Sequence, residues 1–222
     1  MALTLYAHPF SSYCQKVLIA LYENTTPFAF RQLGPEDATA GIELAKLWPL
    51  NRFPVLVDGD LTLPETSIII EHLALHHPGP VKLIPEDPDA ALQVRLLDRF
   101  FDNYIMTPMQ KIVLDARRPA ESRDPYGVNE ARNALETAYA WLEQRLTAQG
   151  QEHWIAGNGF SLADCAAAPS LFFADWAHPI GAAFPRLRAY RQRLNRRPSV
   201  ARCIEEARPY RPLFPLGAPD RD

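Results

Sequence analysis

The sequence predicts an α/β plus all-α chain: a small α/β unit first, then a unit made only of helices. Three observations carry this. Strand-like and helix-like stretches alternate as far as Leu75; the prolines and glycine of His77-Pro78-Gly79-Pro80 and Pro85-Glu86-Asp87-Pro88 interrupt them; and from Asp89 onward apolar residues recur at helical spacing. The expected organisation is an N-terminal domain over 1–78, a linker over 79–88 and a helical domain with a C-terminal tail over 89–222.

Leu3-Thr4-Leu5-Tyr6 reads as a short strand, and Gln15 to Tyr22 carries the helical stripe Val17, Leu18, Leu21. Phe28 to Leu33 alternates as a second strand, and Glu43 to Leu47 reads as a short irregular helix. Next comes an apolar run led by a proline, Phe53-Pro54-Val55-Leu56-Val57, and a hairpin signal at Asp58-Gly59-Asp60 before Leu61-Thr62-Leu63. Ser67 to Ala74 is helical. The order is β-α-β-α-β-β-α. Strands joined through a helix run parallel and a hairpin adds an antiparallel strand, so a small mixed sheet with helices on its faces is expected.

Pro54 is the informative residue of this unit. Proline cannot donate to a strand ladder, so it marks an edge, a first strand residue or a turn. With a cis Phe53–Pro54 bond, the Phe53 N–H and C=O would leave the sheet and face a neighbour such as a bound peptide.

In the second unit Leu92, Leu96, Phe100 and Tyr104 share one face of a long helix, and Ala134, Leu135, Ala138, Leu142 and Leu146 stripe another. Arg117 to Gly127 separates them. Phe160-Ser161-Leu162-Ala163-Asp164-Cys165 has capping-box spacing, with Ser161 and Asp164 reaching for each other's amides and Phe160 and Cys165 as the staple. Shorter helices follow around Arg186 to Leu194 and Val200 to Ala207.

The 222 residues, 47% of them apolar, are enough for a substantial core. No apolar run approaches the roughly 20 residues that span a bilayer, and the N-terminus has no signal-like segment, so a cytoplasmic protein without membrane contact is expected. Three widely spaced cysteines, Cys14, Cys165 and Cys203, argue against a disulfide framework or a zinc cluster. A net charge of −3 gives no general pull toward nucleic acid, and the arginines between Arg186 and Arg211 read as a solvated face. His72, His76 and His77 have a spacing suggestive of a metal pair, yet no acid–cysteine cluster stands near them in sequence, so no metal is expected.

Four short motifs stand in order along the chain: Ser11-Ser12-Tyr13-Cys14-Gln15-Lys16-Val17, Arg52-Phe53-Pro54-Val55-Leu56, Glu65-Thr66-Ser67 with the helix after it, and Phe160-Ser161-Leu162-Ala163-Asp164. Taken together they resemble the cytosolic glutathione transferases of the serine-type (theta, zeta and delta) classes. The resemblance implies a thioredoxin-like N-terminal domain that holds glutathione as co-substrate, a helical domain that supplies the electrophile site, and a homodimer. It places Ser11 where the family keeps the hydroxyl that activates the thiol. Phe53 and Pro54 would hold the cysteinyl part through backbone groups. Glu65, Thr66 and Ser67 would hold the γ-glutamyl end with the help of helix amides. Arg52 would pair with the glycyl carboxylate.

The physics of that site is sufficient. A thiol of pKa near 8.5 is only about 3% thiolate at pH 7, and a two-unit depression corresponds to roughly 2.7 kcal/mol. A hydroxyl hydrogen bond to the charged sulfur, roughly 1.5 to 3 kcal/mol, and a helix N-terminus, roughly 0.3 to 1 kcal/mol, supply that without a general base. Alternatives stay open at this point. The serines can simply cap the first helix, Ser12 with Gln15 having capping-box spacing; Cys14 can be a redox thiol; and Tyr6 can be a thiol-activating tyrosine. For the small hydrophobic electrophile, Phe101, Tyr104, Ile105 and Pro108 are candidate lining residues, with Leu213 and Phe214 from the tail. The resemblance also admits isomerase or lyase chemistry, a thiol oxidoreductase, and a non-catalytic relative that binds a protein such as RNA polymerase.

Overall fold

Strand β1 (Leu3–Ala7) starts a four-stranded sheet in the order β2-β1-β3-β4. The computed structural model describes residues 3–35, 37–150 and 153–222. Helix α1 (Ser12–Glu23) crosses over to β2 (Phe28–Gln32), which runs parallel to β1 from Leu3–Phe28 to Ala7–Gln32. After α2 (Ala38–Leu47), strand β3 (Val55–Asp58) returns on the other side of β1 and runs antiparallel to it, with β4 (Leu61–Pro64) as the hairpin edge. Gly59, at φ 60°, makes the turn that the Asp-Gly pair announces. Helix α3 (Thr66–His76) closes the unit.

Two boundaries differ from the sequence reading for local reasons. α2 starts at Ala38, because the Asp37 carboxylate caps the Thr39 and Ala40 amides at 3.1 and 3.2 Å. α1 starts at Ser12, with Ser11 as its cap.

Helix α4 (Pro88–Phe100) runs without a break through a π-helical stretch (Phe101–Met106) into α5 (Thr107–Ala116). Pro108 explains the wide stretch: it has no N–H to return to the preceding turn, and the Thr107 amide and hydroxyl reach back five residues to the Asp102 carbonyl. The inward face of this long rod is Ala91, Val94, Leu97, Phe101 and Ile105. Leu92, Leu96 and Tyr104 of the stripe read from sequence are 61%, 55% and 60% exposed, so that stripe faces outward. α6 (Pro125–Gln149) lies alongside α5 and buries Leu135, Ala138, Leu142 and Leu146, while Ala134 stays exposed.

Helix α7 (Leu162–Ala177) is the centre of the second unit, buried from Leu162 to Trp176. The Asp164 carboxylate accepts the Ser161 amide and hydroxyl, each at 3.0 Å, the Tyr190 hydroxyl at 2.6 Å and the Ile155 amide at 3.3 Å. One carboxylate therefore starts α7 and fastens α8 (Pro185–Asn195) to it. α9 (Pro198–Ala207) and a 3-10 turn (Arg208–Leu213) follow. Arg191, Arg197, Arg202 and Arg208 of the basic stretch are each paired with a carboxylate.

One hydrophobic core runs from β1 and α1 through α4 and α7 to α9, so the two units share their interior. The segment between α3 and α4 is pinned rather than loose. Asn24 exchanges two hydrogen bonds with the Val81 backbone, and the Leu83 carbonyl accepts the Leu162 amide at 2.8 Å. No helix among the described residues is long and apolar enough to cross a membrane.

Candidate functional site

A cleft of about 600 Å³ lies where the β1–α1 turn, the approach to β3 and the start of α3 face the α4–α5 rod. Ser11, Arg52, Phe53, Pro54, Glu65 and Thr66, which stand far apart in sequence, all line it. The Phe53–Pro54 bond is cis, and Phe53 precedes the first β1–β3 pair, Tyr6–Val55, so its backbone groups lie outside the ladder. Glu65 ends the hairpin at φ 72°, a left-handed conformation unusual for a side-chain-bearing residue and of the kind that gathers at ligand sites. Glu65 and Arg52 are exposed and make no ion pair among the described residues, so the cleft offers one free anion and one free cation.

Ser11 is the N-cap of α1. Its hydroxyl oxygen accepts the Cys14 amide at 3.4 Å, which leaves its proton free to donate toward the cleft at the positive end of the helix. Capping and thiol activation are therefore compatible in this residue. The capping reading of Ser12 is corrected: Ser12 is the first helical residue, and the Gln15 side chain donates to the Pro9 carbonyl at 2.9 Å.

The rivals of Ser11 are placed elsewhere. Cys14 is fully buried under α1, its sulfur accepts the His8 amide at 3.4 Å, and burial pushes its thiol up to about 12. A thiol so protonated and enclosed is a packing group. The Tyr6 hydroxyl donates to Glu43 on α2 at 3.0 Å, outside the cleft lining. Tyr13, which the sequence did not single out, does line the cleft; burial and the nearby Asp102 charge push its phenol up to about 12, so it is a proton donor at neutral pH.

Ser67 does not reach the cleft with its side chain. Its hydroxyl donates to Asp98 Oδ2 at 2.7 Å and accepts from Lys16 Nζ at 3.0 Å, and only its amide, in the first turn of α3, is left for a ligand. These contacts belong to a buried ion cluster. Lys16 Nζ lies 2.6 Å from Asp98 and 2.8 Å from Asp102, and Arg99 approaches both carboxylates from the cleft side. Two basic side chains thus face two carboxyl groups in a floor that joins the two units beneath the cleft.

Of the electrophile candidates, Phe101 and Ile105 are corrected: both are 0% exposed and belong to the core. Tyr104 and Pro108 line a separate apolar groove of about 680 Å³ between the rod and α6, which meets the cleft at Asn103. Phe214 is buried against Phe173 and Trp176, while Leu213 is 62% exposed. The helical wall of the cleft is Arg99, Asp102, Asn103, Gln110 and Leu114. Nothing in the sequence pattern singled these out; Pro108, named from sequence only as a lining candidate, was the available signal, because a proline inside a helix shifts the register of the wall.

Comparison with known proteins agrees with this geometry. Residues 5–81 match the family model of the glutathione S-transferase N-terminal domain, and residues 125–193 match that of the C-terminal domain. A probable maleylacetoacetate isomerase of Vibrio cholerae is 28% identical over 94% of this chain and 98% of its own length. FtsZ-localized protein A of Caulobacter vibrioides is 30% identical over 78% of this chain and 77% of its own. Among solved structures, a Methylobacterium radiotolerans glutathione S-transferase in complex with glutathione sulfonate superposes with a TM-score of 0.78 at 28% identity, covering 92% of this chain and 95% of that one.

Proposed function

The chain belongs to the cytosolic glutathione transferase family, and from that premise we propose that it binds glutathione in the cleft and activates the thiol through Ser11 for attack on a small hydrophobic electrophile. The observation that carries the reading is the convergence of Ser11, Phe53-Pro54 and Glu65-Thr66, with Arg52, on one cleft. Glutathione is an extended zwitterion with charged ends. Glu65 takes the γ-glutamyl ammonium, the Thr66 hydroxyl and the α3 amides take its carboxylate, Phe53 pairs with the cysteinyl backbone, and Arg52 meets the glycyl carboxylate.

This arrangement leaves the thiol at the N-terminus of α1, where the Ser11 hydroxyl donates to the sulfur and the helix end favours its negative charge. The proton goes to solvent, and the thiolate forms a bond to the electrophilic carbon as the leaving group departs with its electron pair. Asn103, Gln110 and Leu114 are the nearest helical-domain groups to accept the electrophile. The outward stripe of Leu92, Leu96 and Tyr104, beside the stacked Phe100–Trp141 pair, supports a homodimer, and the setting is cytoplasmic.

The Vibrio relative favours a second reading, in which the thiolate adds to an unsaturated substrate, allows rotation and leaves again. The two differ in product: the first consumes glutathione, the second returns it.

Calorimetric titration with glutathione, with thiolate absorbance followed near 240 nm in wild type and Ser11→Ala, tests the proposal. Binding with a thiolate signal that depends on Ser11 at neutral pH is expected. No binding at millimolar glutathione overturns the enzyme reading and points to protein-binding chemistry.

A further inference from the structure

Asp58, His72 and His77 converge at the end of the α/β unit remote from the cleft. Asp58 is the last residue of β3, His72 lies on α3, and His77 is the residue that ends it. His72 Nε2 is 2.9 Å from Asp58 Oδ2, and His77 Nε2 is 2.7 Å from the same oxygen. One ligand atom from each residue lies within 4.8 Å of the other two, and all three side chains are partly exposed.

Helical periodicity does not produce this meeting. His72 and His76 have the i, i+4 spacing, and their ring centroids lie 4.5 Å apart with the planes tilted by 39°, but His76 is exposed and outside the trio. Residues five apart on an α-helix point about 140° away from each other. His77 escapes that separation because its backbone leaves the helix at φ −132° and ψ 52°, while its amide still closes the last turn on the Leu73 carbonyl. The absence of a metal was expected from sequence because no acid–cysteine cluster stood near these histidines; the hairpin brings the Asp58 carboxylate to two of them, which gives a ligand set without a cysteine.

We infer that Asp58, His72 and His77 form a binding site for a divalent first-row transition metal of the zinc or nickel kind, with the remaining coordination positions open to water. Two imidazoles and one carboxylate are borderline donors that favour such ions over magnesium or calcium, which prefer all-oxygen sets. In a tetrahedral site with metal–ligand bonds of about 2.0 to 2.1 Å, neighbouring ligand atoms stand roughly 3.3 Å apart. The two N···O contacts need to open by only about half an ångström to admit the ion between them. Each imidazole gives its Nε2 lone pair to the metal, and the proton it held there passes to Nδ1 or to solvent.

The site is a clasp rather than part of the cleft. α3 starts at the cleft with Thr66 and carries the histidines at its far end, about 15 Å along a helix of this length. Bound metal ties the β3–β4 turn to the end of α3. Because only the folded chain brings the three ligands together, it stabilises that fold.

The test is titration of the full-length, untagged, chelator-treated protein with Zn²⁺, and separately with Mg²⁺, by calorimetry near pH 7.5. Uptake of one Zn²⁺ per chain with no response to Mg²⁺ is expected, together with a rise in Tm. Asp58→Asn or His77→Gln weakens uptake by more than about tenfold. The double variant His72→Gln/His77→Gln abolishes it, whereas His153→Gln on the other domain leaves it unchanged. The three cysteines are buried and offer no competing ligands in the native state. Unchanged glutathione binding and an unchanged Tm in chelator show that the double variant is folded. Failure of the wild type to take up Zn²⁺ stoichiometrically, equal uptake of Mg²⁺, or uptake that persists in the double variant overturns the inference, whatever the outcome for glutathione.

Discussion

Lys16 of α1 and Asp102 of the α4–α5 rod meet at 2.8 Å, with 1% and 9% of their side chains exposed. This pair, with Asp98 at 2.6 Å, joins the two units beneath the cleft. Lys16→Met removes the buried cation and leaves the Asp98 and Asp102 carboxylates with only the half-exposed Arg99 to share. A loss of about 3 to 5 kcal/mol in urea unfolding is expected, far more than for an exposed ion pair. A change within about 0.5 kcal/mol would show that the cluster does not hold the units together.

Ser11→Ala separates capping from chemistry. Losing a hydrogen bond to a charged sulfur predicts a fall of about 10- to 100-fold in kcat/KM, while the lost cap lowers stability by only about 0.5 to 2 kcal/mol. Steady-state conjugation and thermal melts on the same sample read both. Full activity in the variant would remove Ser11 from the mechanism.

Asp164→Ala leaves four buried donors without their acceptor: the Ser161 amide and hydroxyl, the Ile155 amide and the Tyr190 hydroxyl. The expected destabilisation, about 3 to 5 kcal/mol, exceeds that of an ordinary capping box, because each stranded donor carries its own desolvation penalty. Denaturant unfolding measures it.

Phe101→Ala and Tyr104→Ala differ by three positions and by opposite environments. The first opens a cavity in the core and should cost about 3 to 5 kcal/mol, whereas the second, on the exposed face, should stay within about 0.5 kcal/mol in the isolated protomer. Equal effects would contradict the register set by the π-helical stretch.

The buried thiols predict alkaline sensitivity. Burial raises the pKa of Cys14, to about 12, and raises those of Cys165 and Cys203 as well. Between the ordinary thiol value of about 8.5 and that folded value, the native state binds more protons than the unfolded one, so stability falls as pH rises. The slope for one thiol reaches about 1.4 kcal/mol per pH unit. In the native protein at pH 8, no thiol should react rapidly with a disulfide reagent, and all three should react after unfolding. A fast-reacting Cys14 would reopen the redox reading.

Local chemistry made much of this protein legible from its sequence. Strand alternation, Asp58-Gly59, the proline at 54 and the Ser161–Asp164 spacing act over a few residues, so the element order and the two-unit architecture follow from them. The four motifs likewise implied a site with Ser11 at its centre. Tertiary structure decided what depends on direction and distance. β3 runs antiparallel to β1 because it begins at the end of the sheet where β1 and β2 finish, Val55 pairing with Tyr6 and Gln32 with Ala7, which no local pattern encodes. The rod turns Leu92, Leu96 and Tyr104 outward and Phe101 and Ile105 inward, since either face is apolar enough to be buried and only packing against α7 chooses between them. The Ser67 hydroxyl goes to Lys16 and Asp98 rather than to the cleft because its partners lie 51 and 31 residues away. Asp58 reaches His72 and His77 for the same reason: sequence fixes which groups a chain carries, and the fold fixes which of them come within bonding distance.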